Sequence, residues 1–214
     1  MSFLNRFDLF VFDLDGTLAD TREDIATSVN HALQPLGIPP LDVDTVTTFI
    51  GDGARLLIQR ALGPTATLER VEAGLKAFVR EYREGCLRKT KLYPGTTETL
   101  EGLRSKDLAV LTNKPHFHSR KILGALGIDH HFLSIVGGDS LPSKKPDPTG
   151  LLTIVEASGR ARERTLLIGD SAVDIQTAVA AGVEGALVTY GFSPEAGHRA
   201  GPDHVLSSLP DLLD

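Results

Sequence analysis

A doubly wound α/β fold is predicted: a parallel sheet, Rossmann-like, with helices on both faces and a small all-helical domain inserted. Three features predict it. Short apolar runs recur along the chain, each ending at Gly, Asp, Thr or Asn. Helical patterns separate most of them, and strands alternating with helices build parallel sheets. One long stretch, residues 20–84, shows helical periodicity only.

The first run is Leu9-Phe10-Val11-Phe12, ending at Asp13. It is too short for a helix and rich in β formers, which predicts a buried strand. Helical periodicity then takes over. Ile25, Val29, Ala32, Leu33 and Leu36 share one face, closed by Gly37 and Pro39. Leu56, Leu57 and Ala61 form a second face, closed by Gly63-Pro64; Leu68, Val71, Leu75, Phe78, Val79 and Tyr82 form a third. These faces predict a helical domain over 20–84, inserted into an α/β core made of 1–19 and 85–214. Gly16 to Ala19 and Thr90 to Gly95 are the expected hinges, with Pro94-Gly95 marking the return.

Four more strands follow: Leu108 to Leu111, Phe132 to Val136, Leu166 to Ile168 and Ala186 to Val188. Between them lie helices predicted over Pro115–Leu126, Pro148–Ala157 and Ser171–Ala181. The first opens on a proline, and all three stop at or near glycines 127, 159 and 182.

Composition narrows the function. Lys and Arg total 22 against 28 Asp and Glu, a formal net charge of −6, which argues against a nucleic-acid partner. The single cysteine, Cys86, rules out an intramolecular disulfide and a multi-cysteine metal site. No apolar run approaches the ~20 residues of a membrane span. The opening Met1-Ser2-Phe3-Leu4-Asn5-Arg6-Phe7-Asp8 does not read as a secretory signal, so a cytoplasmic location is expected. A monomer or homodimer is expected, with no membrane partner.

Ligands of open parallel sheets bind at the carboxyl ends of the strands. Four loops meet there. They carry Asp13-Leu14-Asp15-Gly16-Thr17, Thr112-Asn113-Lys114, Lys144-Lys145-Pro146-Asp147, and Gly169-Asp170-Ser171 with Asp174 one turn further. Carboxylates so close together repel unless a cation joins them, and an oxygen-only ligand set suits Mg²⁺. A carboxylate beside such an ion can attack phosphorus, giving an aspartyl-phosphate. A second carboxyl two residues on can protonate the leaving alkoxide and then activate water. Lys145 and Thr112 would hold phosphate oxygens, by charge and by a hydroxyl donor. Gly16 lets the backbone turn sharply and approach the phosphate.

These residues, Asp13-x-Asp15-Gly-Thr17, Thr112-Asn113, Lys145-Pro and Gly169-Asp170-Ser171-x-x-Asp174, resemble the four motifs of the haloacid dehalogenase superfamily, in its order. The helical insert between the first two resembles its helical cap class. Gly137-Gly138-Asp139-Ser140-Leu141-Pro142, Lys145-Pro146-Asp147-Pro148 and Gly201-Pro202-Asp203 to Leu213 resemble the phosphoglycolate phosphatase branch. The resemblance covers nearly the whole chain. It implies an Mg²⁺-dependent phosphatase of a small phosphorylated metabolite, 2-phosphoglycolate foremost. By the same resemblance Asp13 is the nucleophile and Asp15 the acid/base. The metal is held by Asp13, the Asp15 backbone carbonyl and Asp170, with Asp174 supporting the site from behind.

Rival chemistries fit less well. Dehalogenases lack the second carboxyl that Asp15 supplies. Phosphonate hydrolases need an insert lysine, and the insert holds only Lys76, on a surface-like pattern. Beta-phosphoglucomutases carry a histidine soon after the first motif, where this chain has Thr21-Arg22-Glu23-Asp24. A pyrophosphatase or nucleotidase of the same superfamily, or a silent phosphate-binding regulator, stand as alternatives. Asn113 is expected at the phosphate, or as a helix cap together with Ser171. Asp174 also fits an ordinary first-turn helix carboxylate. Arg55, after Gly51-Asp52-Gly53, is a candidate for a substrate carboxylate, with a surface role as the alternative. Lys114 reads as a solvated lysine, His116, His118, His130 and His131 as surface histidines, and Cys86 as inert near a hinge.

Overall fold

The structure, a computed structural model, describes residues 2–214. Met1, which opens the segment 1–19, lies outside them. The chain runs α1 (Phe3–Arg6), β1 (Leu9–Phe12), β2 (Ala19–Asp20), α2 (Arg22–Leu33), α3 (Val43–Thr47), α4 (Ala54–Leu62), α5 (Leu68–Gly85) and β3 (Lys91–Leu92). It continues through α6 (Thr96–Gly102), β4 (Asp107–Leu111), α7 (His116–Ala125), β5 (Ser134–Val136), α8 (Thr149–Ser158) and β6 (Thr165–Gly169). It ends with α9 (Ala172–Ala181), β7 (Glu184–Val188), α10 (Pro194–Arg199) and β8 (His204–Leu206).

Six strands form one parallel sheet in the order β5-β4-β1-β6-β7-β8. Strand β1 lies between β4 and β6, with Phe12 opposite Val110 and Ile168. Side chains alternate across a strand, and here the alternation divides the core. Phe10, Phe12, Leu108, Val110, Leu166 and Ile168 belong to one apolar cluster, while Leu9, Val11, Ala109, Leu111 and Leu167 belong to another with Leu151 and Ile154 of α8. A sheet covered on both faces requires strands that are apolar throughout, which is why β1 reads as an unbroken run.

Expected and observed elements differ where strands are short. β5 is confined to Ser134–Val136, because a tight turn over 129–131 precedes it and it is a half-buried sheet edge. β8 has three residues and no apolar run to announce it. A short strand touches each expected hinge, β2 at Ala19 and β3 at Lys91–Leu92, and the two pair antiparallel, Ala19 opposite Leu92 and Asp20 opposite Lys91. Buried Asp24 ties α2 to the return segment, accepting bonds from Lys89 N–H, Thr90 N–H and the Thr90 hydroxyl at 2.8–3.0 Å.

Between the two hinge strands, α2 packs against α3 and α5, and α4 against α5. The second predicted face is shifted: α4 buries Leu57, Ile58, Ala61 and Leu62, and leaves Leu56 exposed. Leu68 and Val79 of the third face are exposed as well. Among the described residues, no helix is long and apolar enough to cross a membrane.

Candidate active site

All four predicted loops meet at the carboxyl edge of the sheet. The ladder carries two of them past their strands: Asp13 N–H donates to Ile168 O (2.9 Å) and Thr112 N–H to Val136 O (3.0 Å). Asp13, Thr112, Lys145, Asp170 and Asp174 are all buried, and Asp15 is half-buried.

Lys145 joins two of the carboxylates, with Nζ 3.1 Å from Asp13 Oδ1 and 2.5 Å from Asp174 Oδ1. Asp174 Oδ2 accepts from the Ser171 N–H (3.1 Å) and hydroxyl (2.6 Å), locking the first turn of α9. Asp170 Oδ2 accepts the Phe192 N–H at 2.6 Å. Oxygens of Asp13, Asp170 and Asp174 lie within 4.8 Å of one another. Among the described residues, no hydrogen bond reaches Asp13 Oδ2 or Asp170 Oδ1.

Three carboxylates and one ammonium leave the buried cluster short of positive charge. Burial pushes the Asp13 carboxyl up to about 6, against the pull of Lys145. Burial, then the neighbouring Asp174 and Asp13, raises Asp170 well above the carboxylate range. Burial opposes the charge on Lys145, but Asp13 and Asp174 outweigh it and hold the lysine protonated. Two buried carboxylates with unbonded oxygens are the donor set of a hard divalent cation, so the residues fit one.

Gly16 has φ +83°, and a Cβ there would strike the Asp170 carboxylate. Its freedom therefore serves a close approach to Asp170. Gly191 packs against Asp170 in the same way, from a loop after β7 that sequence reasoning missed. The rule of strand carboxyl ends would have found it, since Thr189 to Ser193 follow β7 directly.

Asp15 has two partners. The Thr21 hydroxyl donates to Oδ1 (2.7 Å), and Lys114 Nζ lies 3.0 Å from Oδ1 and 2.8 Å from Oδ2. Lys114, expected in solvent, is only 8% exposed. Its ammonium sits 4.6 Å from the centre of the Tyr82 ring. Burial opposes its charge as well, but Asp15 and Tyr82 raise its pKa above the usual lysine value. A side chain that is charged and apolar-stemmed reads as solvated until a distant carboxylate and ring are folded onto it.

Asn113, expected at the phosphate, lines the cavity and donates its amide NH2 to Gly51 O and Lys145 O, both at 2.9 Å, bracing the insert loop against the lysine loop. Two further expectations are corrected. Arg55 is absent from the cavity wall; its exposed guanidinium pairs with Glu72 at 2.6 Å. His118 is buried, with its ring 5.3 Å from that of Tyr82. His130 and His131 stack beside Glu101, and Cys86 is buried.

The cluster opens into a cavity shared by the sheet edge and the helical insert. Its floor is Asp13, Asp15, Thr112, Lys114 and Asp170. Its roof is apolar, from Ile50, Leu57, Phe78 and Tyr82 of the helical insert. Lys144 Nζ donates to Asp52 O and Lys121 Nζ to Arg83 O, so core lysines clasp the insert from two sides.

Comparison with known proteins finds relatives of nearly the whole chain. A phosphoglycolate phosphatase of Haemophilus influenzae is 39% identical over 218 residues, covering 97% of each chain. Phosphoglycolate phosphatase 1 of Pseudomonas aeruginosa is 38% identical over 215 residues, covering 96% of this chain and 78% of its own. The crystal structure of a predicted phosphoglycolate phosphatase from Haemophilus somnus superposes with a TM-score of 0.91 at 36% identity, covering 97% of this chain and 96% of that one. The haloacid dehalogenase-like hydrolase model matches residues 10–188, from the first buried strand to the end of β7, and the chain belongs to that family.

Proposed function

We propose that this protein hydrolyses a small phosphomonoester, 2-phosphoglycolate foremost, through an aspartyl-phosphate on Asp13, with Mg²⁺ as cofactor. The observation that carries this reading is the pair of buried carboxylates, Asp13 and Asp170, with oxygens left unbonded beside Lys145 in the cavity between sheet edge and helical insert.

Asp13, the Asp15 backbone carbonyl and Asp170 would hold the ion, which supplies neutralisation of the negative charge on cluster and phosphate. The Asp13 carboxylate attacks phosphorus; the bond from phosphorus to the leaving oxygen breaks, and its electron pair departs with that oxygen. Asp15 delivers a proton to it. Water then attacks the acyl phosphate, Asp15 takes the water's proton, and the bond between phosphorus and Asp13 breaks to restore the carboxylate. Lys145 and the Thr112 hydroxyl bind phosphate oxygens as charge builds on them. The helices between β2 and β3, treated as a cap, exclude water and meet the leaving group.

The test is a panel of small phosphorylated metabolites ranked by kcat/KM, with Asp13→Asn as control. The expected result is turnover led by 2-phosphoglycolate, abolished in the variant, with phosphate trapped on Asp13 by rapid quench of the wild type. Covalent phosphate on another residue, or preference for a nucleotide or pyrophosphate, overturns the respective part.

A further inference from the structure

Among the described residues, Tyr82 and His118 at the back of the cavity carry buried polar atoms with no hydrogen-bond partner, beside the ammonium of Lys114. Tyr82 is 2% exposed, and among the described residues its hydroxyl makes no hydrogen bond of ordinary geometry. His118 is 7% exposed and its Nε2 has none. Lys114 has an ammonium with three donors, and among the described residues its carboxylate partner is Asp15 alone. All three residues line the same cavity. They also touch: Lys114 Nζ lies over the Tyr82 ring, and that ring packs on His118. Buried polar groups are ordinarily bonded, and one left without a partner costs free energy until a shift of the side chain or a ligand supplies one.

The charge and position of the trio select the ligand. Lys114 is the lysine or arginine on the cavity wall; Arg55 is turned away to Glu72. The remaining wall toward the insert is apolar, from Ile50, Leu57 and Phe78. One ammonium balances one negative charge, and a dianion here would crowd the Asp15 carboxylate. Asp15 must reach the leaving oxygen to protonate it, and Lys114 is one hydrogen bond from Asp15. A carboxylate one methylene from the leaving oxygen therefore falls within the same neighbourhood.

We propose that Lys114, His118 and Tyr82 form the subsite for a carboxylate on the leaving group, so that this cavity selects phosphate esters of short hydroxy acids over neutral esters of the same size. The inference rests on the phosphatase reading above and deepens it. Lys114 exchanges its bond to Asp15 for one to the substrate carboxylate, and Tyr82 and His118 complete that carboxylate's shell. Asp15 keeps its bond to Thr21. Tyr82 comes from α5 of the insert and Lys114 and His118 from the core, so the subsite is complete only when the two are together.

The experiment compares 2-phosphoglycolate with ethyl phosphate, which has the same carbon skeleton and no carboxylate. Wild type should favour 2-phosphoglycolate. Lys114→Met should lose about 10²-fold more kcat/KM on 2-phosphoglycolate than on ethyl phosphate, and Lys114→Arg should recover part of that difference. Tyr82→Phe and His118→Leu should raise KM for 2-phosphoglycolate about 3- to 10-fold and leave KM for ethyl phosphate near wild type. They carry the test if Lys114→Met does not fold, as judged by circular dichroism. Equal losses on the two esters would overturn the subsite and reduce Lys114 to a positioning residue for Asp15. Equal wild-type kcat/KM on the two esters would also overturn it, with the phosphatase reading intact. Failure of wild type to hydrolyse either ester, with Mg²⁺ present, overturns the phosphatase reading itself.

Discussion

Lys145 Nζ lies 2.5 Å from Asp174 Oδ1, and both side chains are almost fully buried. The same ammonium reaches Asp13 at 3.1 Å, while the other Asp174 oxygen caps α9 through Ser171. One carboxylate thus fixes a helix start and a buried cation together, and through the cation the position of Asp13.

Removing Asp174 should therefore cost stability and turnover at once. Asp174→Ala leaves Lys145 paired with Asp13 and removes the bonds to Lys145 and Ser171, and is expected to lower unfolding free energy by about 1.5–3 kcal/mol, the range for lost hydrogen bonds to a charged group. Chemical denaturation measures this. Asp174→Asn keeps an acceptor for Ser171 and should be milder in stability, while kcat falls because Lys145 loses its anchor. Unchanged kcat in both variants would contradict the anchoring role.

Asp15→Asn should leave metal affinity close to wild type, since the metal ligand expected from residue 15 is its backbone carbonyl. The expected loss of about 10²–10⁴-fold is that of a general acid/base. It should shrink for esters whose leaving groups need little protonation. Single-turnover rates across a leaving-group series test this, and a uniform loss would argue against proton transfer by Asp15.

Divalent metal should act on stability as well as on rate. A cation that binds only the folded chain stabilises it by about 2.7 kcal/mol at 100 times its Kd. The melting temperature should rise with Mg²⁺ and fall in chelator, and activity should vanish in chelator and return with Mg²⁺ or Mn²⁺. Ca²⁺ should inhibit, because its looser coordination misplaces nucleophile and phosphate. A melting temperature indifferent to Mg²⁺ would count against the site.

Asp24 should be a stability residue with no direct part in the chemistry. Its carboxylate gathers Lys89 and Thr90 onto α2 at the hinge. Hydrogen bonds to a charged group contribute about 1.5–3 kcal/mol. Asp24→Ala is expected to destabilise by that amount and to raise proteolytic cleavage near residues 88–91. An unaltered melting temperature would show the hinge to be held by the β2–β3 pair alone.

His118 should make stability fall on acidification. Burial first, then Lys114 and Lys121, pushes its imidazole down to about 4 in the folded protein, against about 6.5 in an unfolded chain. Between those values the unfolded state binds the proton more readily, so stability is lost as pH drops from about 6.5 toward 4 and no further below. His118→Leu should remove this component. The difference in unfolding free energy between wild type and variant, followed by urea titration at several pH values, should vary over that window and be flat above it.

The sheet and the gathering of the candidate residues at its edge were legible in the sequence. A strand covered on both faces must be apolar at every position, so Leu9 to Phe12 announces itself, and the residue that follows such a strand stands at a ligand-binding edge. Asp13, Asp15, Thr112, Lys145, Asp170 and Asp174 were all reachable by that rule. Short edge and hinge strands were hidden, because two or three half-exposed residues carry no period.

What the sequence could not decide was partnership across distance. Lys114 looks like a surface lysine because its neighbours in the chain are Asn113 and Pro115; folding sets Asp15 and Tyr82 against it, from positions 99 and 32 residues away. Arg55 looks available for a substrate carboxylate, yet Glu72 of the neighbouring helix α5 takes it. Local pattern fixes secondary structure because its forces act within a few residues. The pairing of a buried charge depends on which carboxylate or ring the whole fold brings within about 3–5 Å, and only the tertiary structure sets that.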